Sequence, residues 1–152
     1  MFKSFDIPPV WALFWALASY VLARFLPVVA FGDAMPGFIG VGGSFLIAVA
    51  GFWLVVWSAL WFRRKSTPIE PGQVPRALIV EGPYRLSRNP IYTGMTLILF
   101  GFALWLGAAS AFVGPAGFVW VVTRRFILRE EAALRHTFGE KADAYIRSSR
   151  RW

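Results

Sequence analysis

Long apolar runs alternate with short polar segments along the chain. The first run covers residues 9–31 and is interrupted by Arg24, with Pro27 near its end. The second and third, residues 38–62 and 91–112, contain no charged side chain. Each run is longer than the roughly 20 residues with which an α-helix crosses the ~30 Å hydrocarbon core of a bilayer. The pattern therefore predicts three membrane-spanning helices.

A fourth apolar run, residues 117–128, contains Arg124 and Arg125 and spans a bilayer only if its helix begins near Val113. The sequence thus predicts an all-α integral membrane protein with about four transmembrane helices. It forms one domain over residues 1–152, with two spans in 1–62, a cytoplasmic loop in 63–90 and a span pair followed by a C-terminal helix in 91–152. That last helix is expected at residues 128–146, where apolar side chains recur at mostly helical spacing and charges occupy the other face.

Composition agrees with a membrane protein and excludes several other classes. The 152 residues are 57% hydrophobic and 16% charged, with a mean hydropathy of +0.56, whereas soluble domains carry about 25% charged residues. A disordered chain requires low hydrophobicity and is excluded. The chain contains no cysteine, which excludes a disulfide framework, a thiolate nucleophile and a cysteine metal site. The single histidine, His136, cannot form a metal site alone, so no metal is expected.

The net charge of +8 is explained by where the basic residues lie. Of the 16 lysines and arginines, six lie in the loop between the second and third spans and eight lie from Arg124 onward. The opposite loops, residues 32–37 and 108–115, contain none. The positive-inside rule therefore predicts a multi-pass protein with the long loop and both termini in the cytoplasm. Contact with anionic lipid headgroups accounts for the charge, and a nucleic-acid partner is not expected.

Two polar clusters on the predicted cytoplasmic side carry the candidate chemistry. Residues 82–94 read G-P-Y-R-L-S-R-N-P-I-Y-T-G, and Pro90 is expected to break helical hydrogen bonding and free backbone groups there. Residues 123–131 read T-R-R-F-I-L-R-E-E and place Glu130 and Glu131 at a membrane boundary. Carboxylates are costly there unless they are paired or exposed. From the residues alone, both glutamates either pair with arginines of their own helix or face a ligand.

Together the two clusters resemble the isoprenylcysteine carboxyl methyltransferase family, within the wider group that includes phospholipid N-methyltransferases. The family pattern is roughly L-V-x-x-G-x-Y-x-x-x-R-H-P-x-Y-x-G, then E-E-x-x-L-x-x-x-F-G-x-x-Y-x-x-Y. Residues 78–94 read L-I-V-E-G-P-Y-R-L-S-R-N-P-I-Y-T-G, and residues 130–145 read E-E-A-A-L-R-H-T-F-G-E-K-A-D-A-Y. Asn89 replaces the usual histidine, and Ala142 replaces the first tyrosine of the second motif. Asparagine forms hydrogen bonds but does not act as an acid or base near neutral pH.

The resemblance implies methyl transfer from S-adenosyl-L-methionine to a lipid-like or prenylated acceptor, with carboxyl O-methylation as the expected reaction. By similarity, the cofactor site takes residues from both motifs: Arg76, Ala77, Leu78, Ile79, Tyr84, Asn89, Pro90, Ile91, Tyr92, Glu130 and Glu131. Asn89, Arg125 and Arg129 are the candidates at the reaction centre. The two arginines would bind an acceptor carboxylate through paired N–H donors. For each of them, ordinary positive-inside placement is the competing interpretation.

Other functions stay open at this point. The acceptor could be an aminophospholipid headgroup or a small thiol in place of a prenylated carboxylate. A sterol-type reductase that uses NADPH is a different enzyme class whose C-terminal architecture is related. A membrane subunit without catalysis is a third class, and the departures at Asn89 and Ala142 favour it.

Overall fold

A computed structural model of the protein describes residues 6–31, 37–69 and 73–152. Within these ranges the helices are α1 (Pro8–Phe25), α2 (Gly37–Arg64), α3 (Pro90–Leu106), α4 (Val113–Val122), α5 (Leu128–Phe138) and α6 (Glu140–Ser148). The described residues form no β-strand, and an isolated bridge joins Ala30 to Ala108. The all-helical class is therefore confirmed for this part of the chain. Parts of two predicted loops, residues 32–36 and 70–72, lie outside it, as do residues 1–5.

Prolines fix both ends of α1. Pro8 stands in the first turn, where proline fits because its missing N–H would have no helical partner. The helix ends at Phe25, earlier than the apolar run alone predicted. Pro27 explains this, because proline disfavours helical backbone in the residue before it, and Leu26 has φ −139° and ψ 64°.

Pro90 begins α3 at the entrance of the predicted third span, so the expectation that it breaks helical hydrogen bonding there is wrong. It occupies the first turn, after Asn89 at the N-cap position. A proline there interrupts no helical hydrogen bond, because its missing N–H would have no helical acceptor, and the next N–H groups stay without helical acceptors as in any first turn. The helix ends after Leu106 at Gly107, whose φ of 69° and ψ of 22° are left-handed and suit glycine.

The helix predicted over residues 128–146 is in fact two helices, α5 and α6. Gly139 separates them with φ +53° and ψ −128°, a conformation that essentially only glycine adopts. The apolar periodicity continues through the break, which is why the pattern alone predicted one helix.

Two segments are long and apolar enough to cross a membrane. One is Gly40–Arg64 in α2, and the other is Ala109–Phe138, a continuous helical segment of 30 residues. In the second segment a π-helical turn, Thr123–Ile127, joins α4 to α5. α3 is a shorter apolar helix of 17 residues. Helix length and composition thus support two spans, and the four-span arrangement stays a prediction.

α3 lies at the centre of the bundle and contacts α1, α2 and α4. The buried core includes Tyr92, Leu99, Phe118, Val122, Phe126 and Ile127. On the outside, apolar side chains of α1 and α2 are exposed, including Leu13 at 72% and Leu46 at 68%. Exposed apolar faces of this size are typical of surfaces that contact a membrane or a partner.

Two facing glycines bring α2 and α3 into backbone contact. A Cβ atom added to Gly51 would lie 2.5 Å from the carbonyl oxygen of Gly94, and one added to Gly94 would lie 2.5 Å from that of Gly51. A side chain at either position would therefore push the helices apart. This packing holds α3 against α2. The first residues of α3 belong to the predicted site, so the contact also fixes their position.

The substitution Gly94→Ala is expected to destabilise the protein by about 1–3 kcal/mol, because the added methyl group overpacks the helix contact. Thermal unfolding in detergent measures the effect. Gly43→Ala in α2 is the control, since a Cβ atom at Gly43 meets nothing within 4 Å. An equal loss of stability in both variants would contradict the close packing of α2 on α3.

Candidate functional site

A cavity of about 540 Å³ brings the two polar clusters together. Its walls come from the start of α1, the C-terminal half of α2, the loop that follows and the start of α3. The segment from the π-helical turn into α5 and Tyr145 of α6 complete them. Of the residues predicted for the site, the cavity is lined by Ala77, Leu78, Ile79, Tyr84, Asn89, Pro90, Ile91, Tyr92, Arg125, Arg129, Glu130 and Glu131. The roles assigned to these residues stay predictions.

Arg76 is the predicted site residue that does not line the cavity. It is exposed, and its backbone N–H donates to Thr67 Oγ1 at 2.8 Å. Thr67 is buried, so this hydrogen bond fixes the path of the loop that leads into the cavity wall. The contribution of Arg76 to the cavity is therefore through its main chain.

Tyr92 and Glu130 connect the two motifs directly. The hydroxyl of Tyr92 donates to Glu130 Oε1 at 2.6 Å, a short hydrogen bond of the kind formed with a charged acceptor. Tyr92 is 7% exposed and belongs to the buried core, where its ring centroid lies 6.4 Å from that of Phe126. The core thus holds the tyrosine, and the tyrosine holds the carboxylate of Glu130 at the cavity.

Glu131 is 4% exposed and has two arginine partners. Its Oε1 accepts from Arg88 Nη2 at 3.2 Å and from Arg151 Nε at 2.9 Å, and its Oε2 accepts from Arg151 Nη2 at 2.8 Å. Neither glutamate forms an ion pair with an arginine of its own helix among the described residues. The interpretation that they pair along the helix is wrong, because the partners of Glu131 come from segments distant in sequence.

Two tyrosines form a further part of the wall. The hydroxyl of Tyr145 donates to the backbone carbonyl oxygen of Tyr84 at 2.9 Å. Burial raises the pKa of Tyr145 to about 12 and raises the pKa of Tyr84 far above its ordinary value. Both phenols are therefore neutral at physiological pH, and α6 reaches the cavity through Tyr145.

Arg125 and Arg129 differ in their surroundings. Arg125 Nη1 lies 2.8 Å from Asp6 Oδ1, and its guanidinium stacks 5.1 Å from the ring centroid of Trp11. Arg129 also lines the cavity, and no ion pair or hydrogen bond joins its side chain to any residue in the described ranges. Arg129 is thus the arginine whose charge is available to a bound anion.

Among the residues with polar side-chain contacts at or beside the cavity, the sequence did not predict Asp6, Arg88, Tyr145 and Arg151. Arg88 and Tyr145 stand inside the two quoted motifs, and that position was a usable signal. No local pattern marks Asp6 or Arg151, since Arg151 looks like one more basic residue of a membrane surface. Only the fold shows that they pair with Arg125 and Glu131.

Glu131→Gln is expected to destabilise the fold by about 3 kcal/mol, because removing one member of a buried ion pair leaves the other charge without compensation. The midpoint of thermal unfolding in detergent reports this loss. Glu140→Gln is the matched control, since Glu140 is exposed on α6 and forms no ion pair among the described residues. Equal midpoints for both variants would show that the buried carboxylate is not structurally important.

Comparison with known proteins identifies the family. Residues 39–141 match the family model described as phospholipid methyltransferase. A protein of Haemophilus influenzae described as uncharacterized is 37% identical over 62 residues, which cover 41% of this chain and 98% of that protein. No solved structure matches the chain significantly. The resemblance drawn from the two motifs is confirmed at the level of the family group, and the chain belongs to the phospholipid methyltransferase family.

Proposed function

We propose that the protein is an integral membrane methyltransferase that uses S-adenosyl-L-methionine and acts on a lipid-like acceptor. Family membership indicates a methyltransferase associated with a membrane. The observation that carries the finer proposal is the cavity, because carboxylate, aromatic and arginine side chains meet there between apolar walls. Carboxyl O-methylation of an isoprenylcysteine-type acceptor is the first reaction to test.

The side chains of the cavity fit the proposed cofactor. S-adenosyl-L-methionine supplies a methyl group already activated on a cationic sulfonium. Glu130 offers a carboxylate at the wall, and Tyr84 and Tyr92 offer aromatic rings, both of which attract cations. Ala77, Leu78 and Ile79 provide apolar surface for the neutral parts of the molecule. The remaining requirements of methyl transfer are alignment of the reacting groups and exclusion of water, which a largely apolar cavity provides.

Arg129 supports an acceptor that carries an anionic group. A guanidinium binds a carboxylate or a phosphate through two parallel N–H donors. Arg129 has no described partner, whereas Arg125 already pairs with Asp6. We therefore assign the acceptor's anion to Arg129 first, with Arg125 as a second contact when its pair with Asp6 opens.

Carboxyl O-methylation requires no general base in the lining of the cavity. His136 is the one histidine of the sequence, and it does not line the cavity. A carboxylate is already deprotonated at neutral pH and attacks the methyl group without a base, whereas a protonated amine must first lose a proton. N-methylation of an aminophospholipid is the second candidate, because the matching family is described as phospholipid methyltransferase and Glu130 is a carboxylate that could accept that proton.

We further propose four spans, with the cavity opening near the cytoplasmic surface. Gly40–Arg64 and Ala109–Phe138 are the two longer spans, and α1 and α3 are the shorter ones. The exposed apolar faces of α1 and α2 support this arrangement, since lipid would cover them. An acceptor with a lipid tail would reach the cavity sideways from the bilayer.

Calorimetric titration into detergent-purified protein is expected to show saturable binding of S-adenosyl-L-methionine and S-adenosylhomocysteine. Glu130→Gln should weaken this binding about tenfold, because a hydrogen bond or contact to a charged group contributes about 1.5–3 kcal/mol. Glu140→Gln should bind like the wild type. Equal affinities for the two variants would contradict the assignment of Glu130 to the cofactor.

The same titration separates the rival functions. NADPH is the control ligand and is not expected to bind. Binding of NADPH without S-adenosyl-L-methionine would favour a reductase. Binding of neither ligand to protein with a cooperative unfolding transition would favour a membrane subunit without catalysis.

Arg129→Ala is expected to raise KM for a farnesylated cysteine acceptor about tenfold, because one contact between charged groups is lost. KM for the cofactor should change much less. Methyl transfer from a labelled cofactor measures both constants, and alkali-labile label in the product identifies a carboxyl ester. Arg124→Ala is the control, since Arg124 is exposed and lies outside the cavity. An equal rise in both constants would remove Arg129 as the acceptor contact.

A further inference from the structure

Residues 149–152 lie against the segment that leads into α3. The backbone N–H of Arg88 donates to the carbonyl oxygen of Arg150 at 2.8 Å. The Arg88 side chain donates from Nη1 to the carbonyl oxygen of Ile146 at 2.6 Å and to that of Ser149. A guanidinium that binds several carbonyl oxygens holds both segments in place, here the one before α3 and the one after α6.

The side chain of Asn89 also binds this segment. Its Nδ2 donates to the carbonyl oxygen of Arg151 at 3.0 Å, and Ser87 Oγ donates to the same oxygen at 3.3 Å. Asn89 is 8% exposed, so an unpaired side-chain amide there would be costly. The residue that stands where the family usually has histidine thus uses its side chain to hold residues 149–152.

The side chains of the same segment reach the other wall of the cavity. Arg151 donates from Nε and Nη2 to the two oxygens of Glu131, at 2.9 and 2.8 Å. Trp152 packs against the core cluster that contains Tyr92 and Phe126. Neither Arg151 nor Trp152 lines the cavity. The segment therefore contacts the residues that surround the site without contributing to its surface.

We propose that Arg151 is a positioning residue. Its carbonyl oxygen binds Asn89 and its guanidinium binds Glu131, so that one residue fixes the start of α3 relative to α5. That relative position decides whether Tyr92 on α3 meets Glu130 on α5. Arg151 thus acts on the site through Asn89 and Glu131.

A purely structural role predicts a different result from a positioning role. The Arg151 side chain is 39% exposed, and Glu131 keeps Arg88 as a partner when Arg151 is replaced. Replacement of Arg151 should therefore lower the thermal midpoint less than Glu131→Gln does, because Arg88 still compensates the buried carboxylate. Its main consequence should be local, at residues 87–92 and at the affinity of the cavity.

Hydrogen–deuterium exchange tests the local part without any ligand. In Arg151→Gln, the hydrogen bonds from the Arg151 guanidinium to the charged Glu131 are lost. The amide of Arg88 should therefore exchange about tenfold faster, because such a loss lowers the local stability by about 1.5 kcal/mol. Arg150→Gln is the matched control, because the Arg150 side chain is exposed and only its carbonyl oxygen is used. Unchanged exchange in Arg151→Gln, or equal acceleration in both variants, would overturn the proposal.

Affinity for S-adenosylhomocysteine tests the consequence for the site, and this part rests on the proposed function. Arg151→Gln should bind it several-fold more weakly, and Arg151→Lys, which keeps the charge, should recover part of the affinity. In the double variant with Glu131→Gln the two effects should be smaller than their sum, as for residues that act through one contact. Full additivity, or no gain from lysine over glutamine, would contradict the positioning role.

The two measurements keep the proposals apart. If wild-type protein binds no S-adenosylhomocysteine, the proposed function fails, and the exchange of residues 87–92 alone decides the role of Arg151. If wild-type protein binds it and Arg151→Gln binds equally well, the function stands and the positioning role fails.

Discussion

The carboxylate of Glu131, buried between Arg88 and Arg151, is the interaction on which the arrangement of the cavity depends. A buried carboxylate is stable only with compensating charge and hydrogen bonds, and here both come from outside its own helix. Arg88 belongs to the segment before α3, and Arg151 to the segment after α6. One side chain on α5 therefore joins three parts of the chain that are remote in sequence.

The neighbouring Glu130 takes no part in this pairing and contacts Tyr92 instead. Consecutive residues of a helix point about 100° apart, so one carboxylate is directed to the arginines while the other meets Tyr92 at the cavity. The hydrogen bond from Tyr92 ties Glu130 to α3, whose position the glycine contact with α2 also fixes. Both glutamates line the cavity, and Glu131 in addition joins its walls through the two arginines.

The sequence predicts the parts of this structure that depend on local chemistry. Apolar runs located the helices, and all but one of the residues predicted for the site line the cavity, although they make up fewer than half of its lining. Helix ends were less accurate, since α1 ends at Phe25 and Gly139 divides the predicted C-terminal helix, and both effects depend on backbone angles that periodicity does not show. Arg88 stands inside a quoted motif, but the pairing of Arg151 with Glu131 could not be predicted, because nothing local distinguishes Arg151 from the other arginines of the basic tail. Arg151 became recognisable only through the fold.

The central claim is that the cavity between the two motifs binds the methyl donor. Photolabelling of detergent-purified protein with methyl-tritiated S-adenosyl-L-methionine, followed by peptide mapping, tests it most directly. Label is expected in peptides that contain residues 77–92 or 125–134, and S-adenosylhomocysteine should compete with it. Competed label in peptides outside the cavity, or no competed label in folded protein, would contradict it.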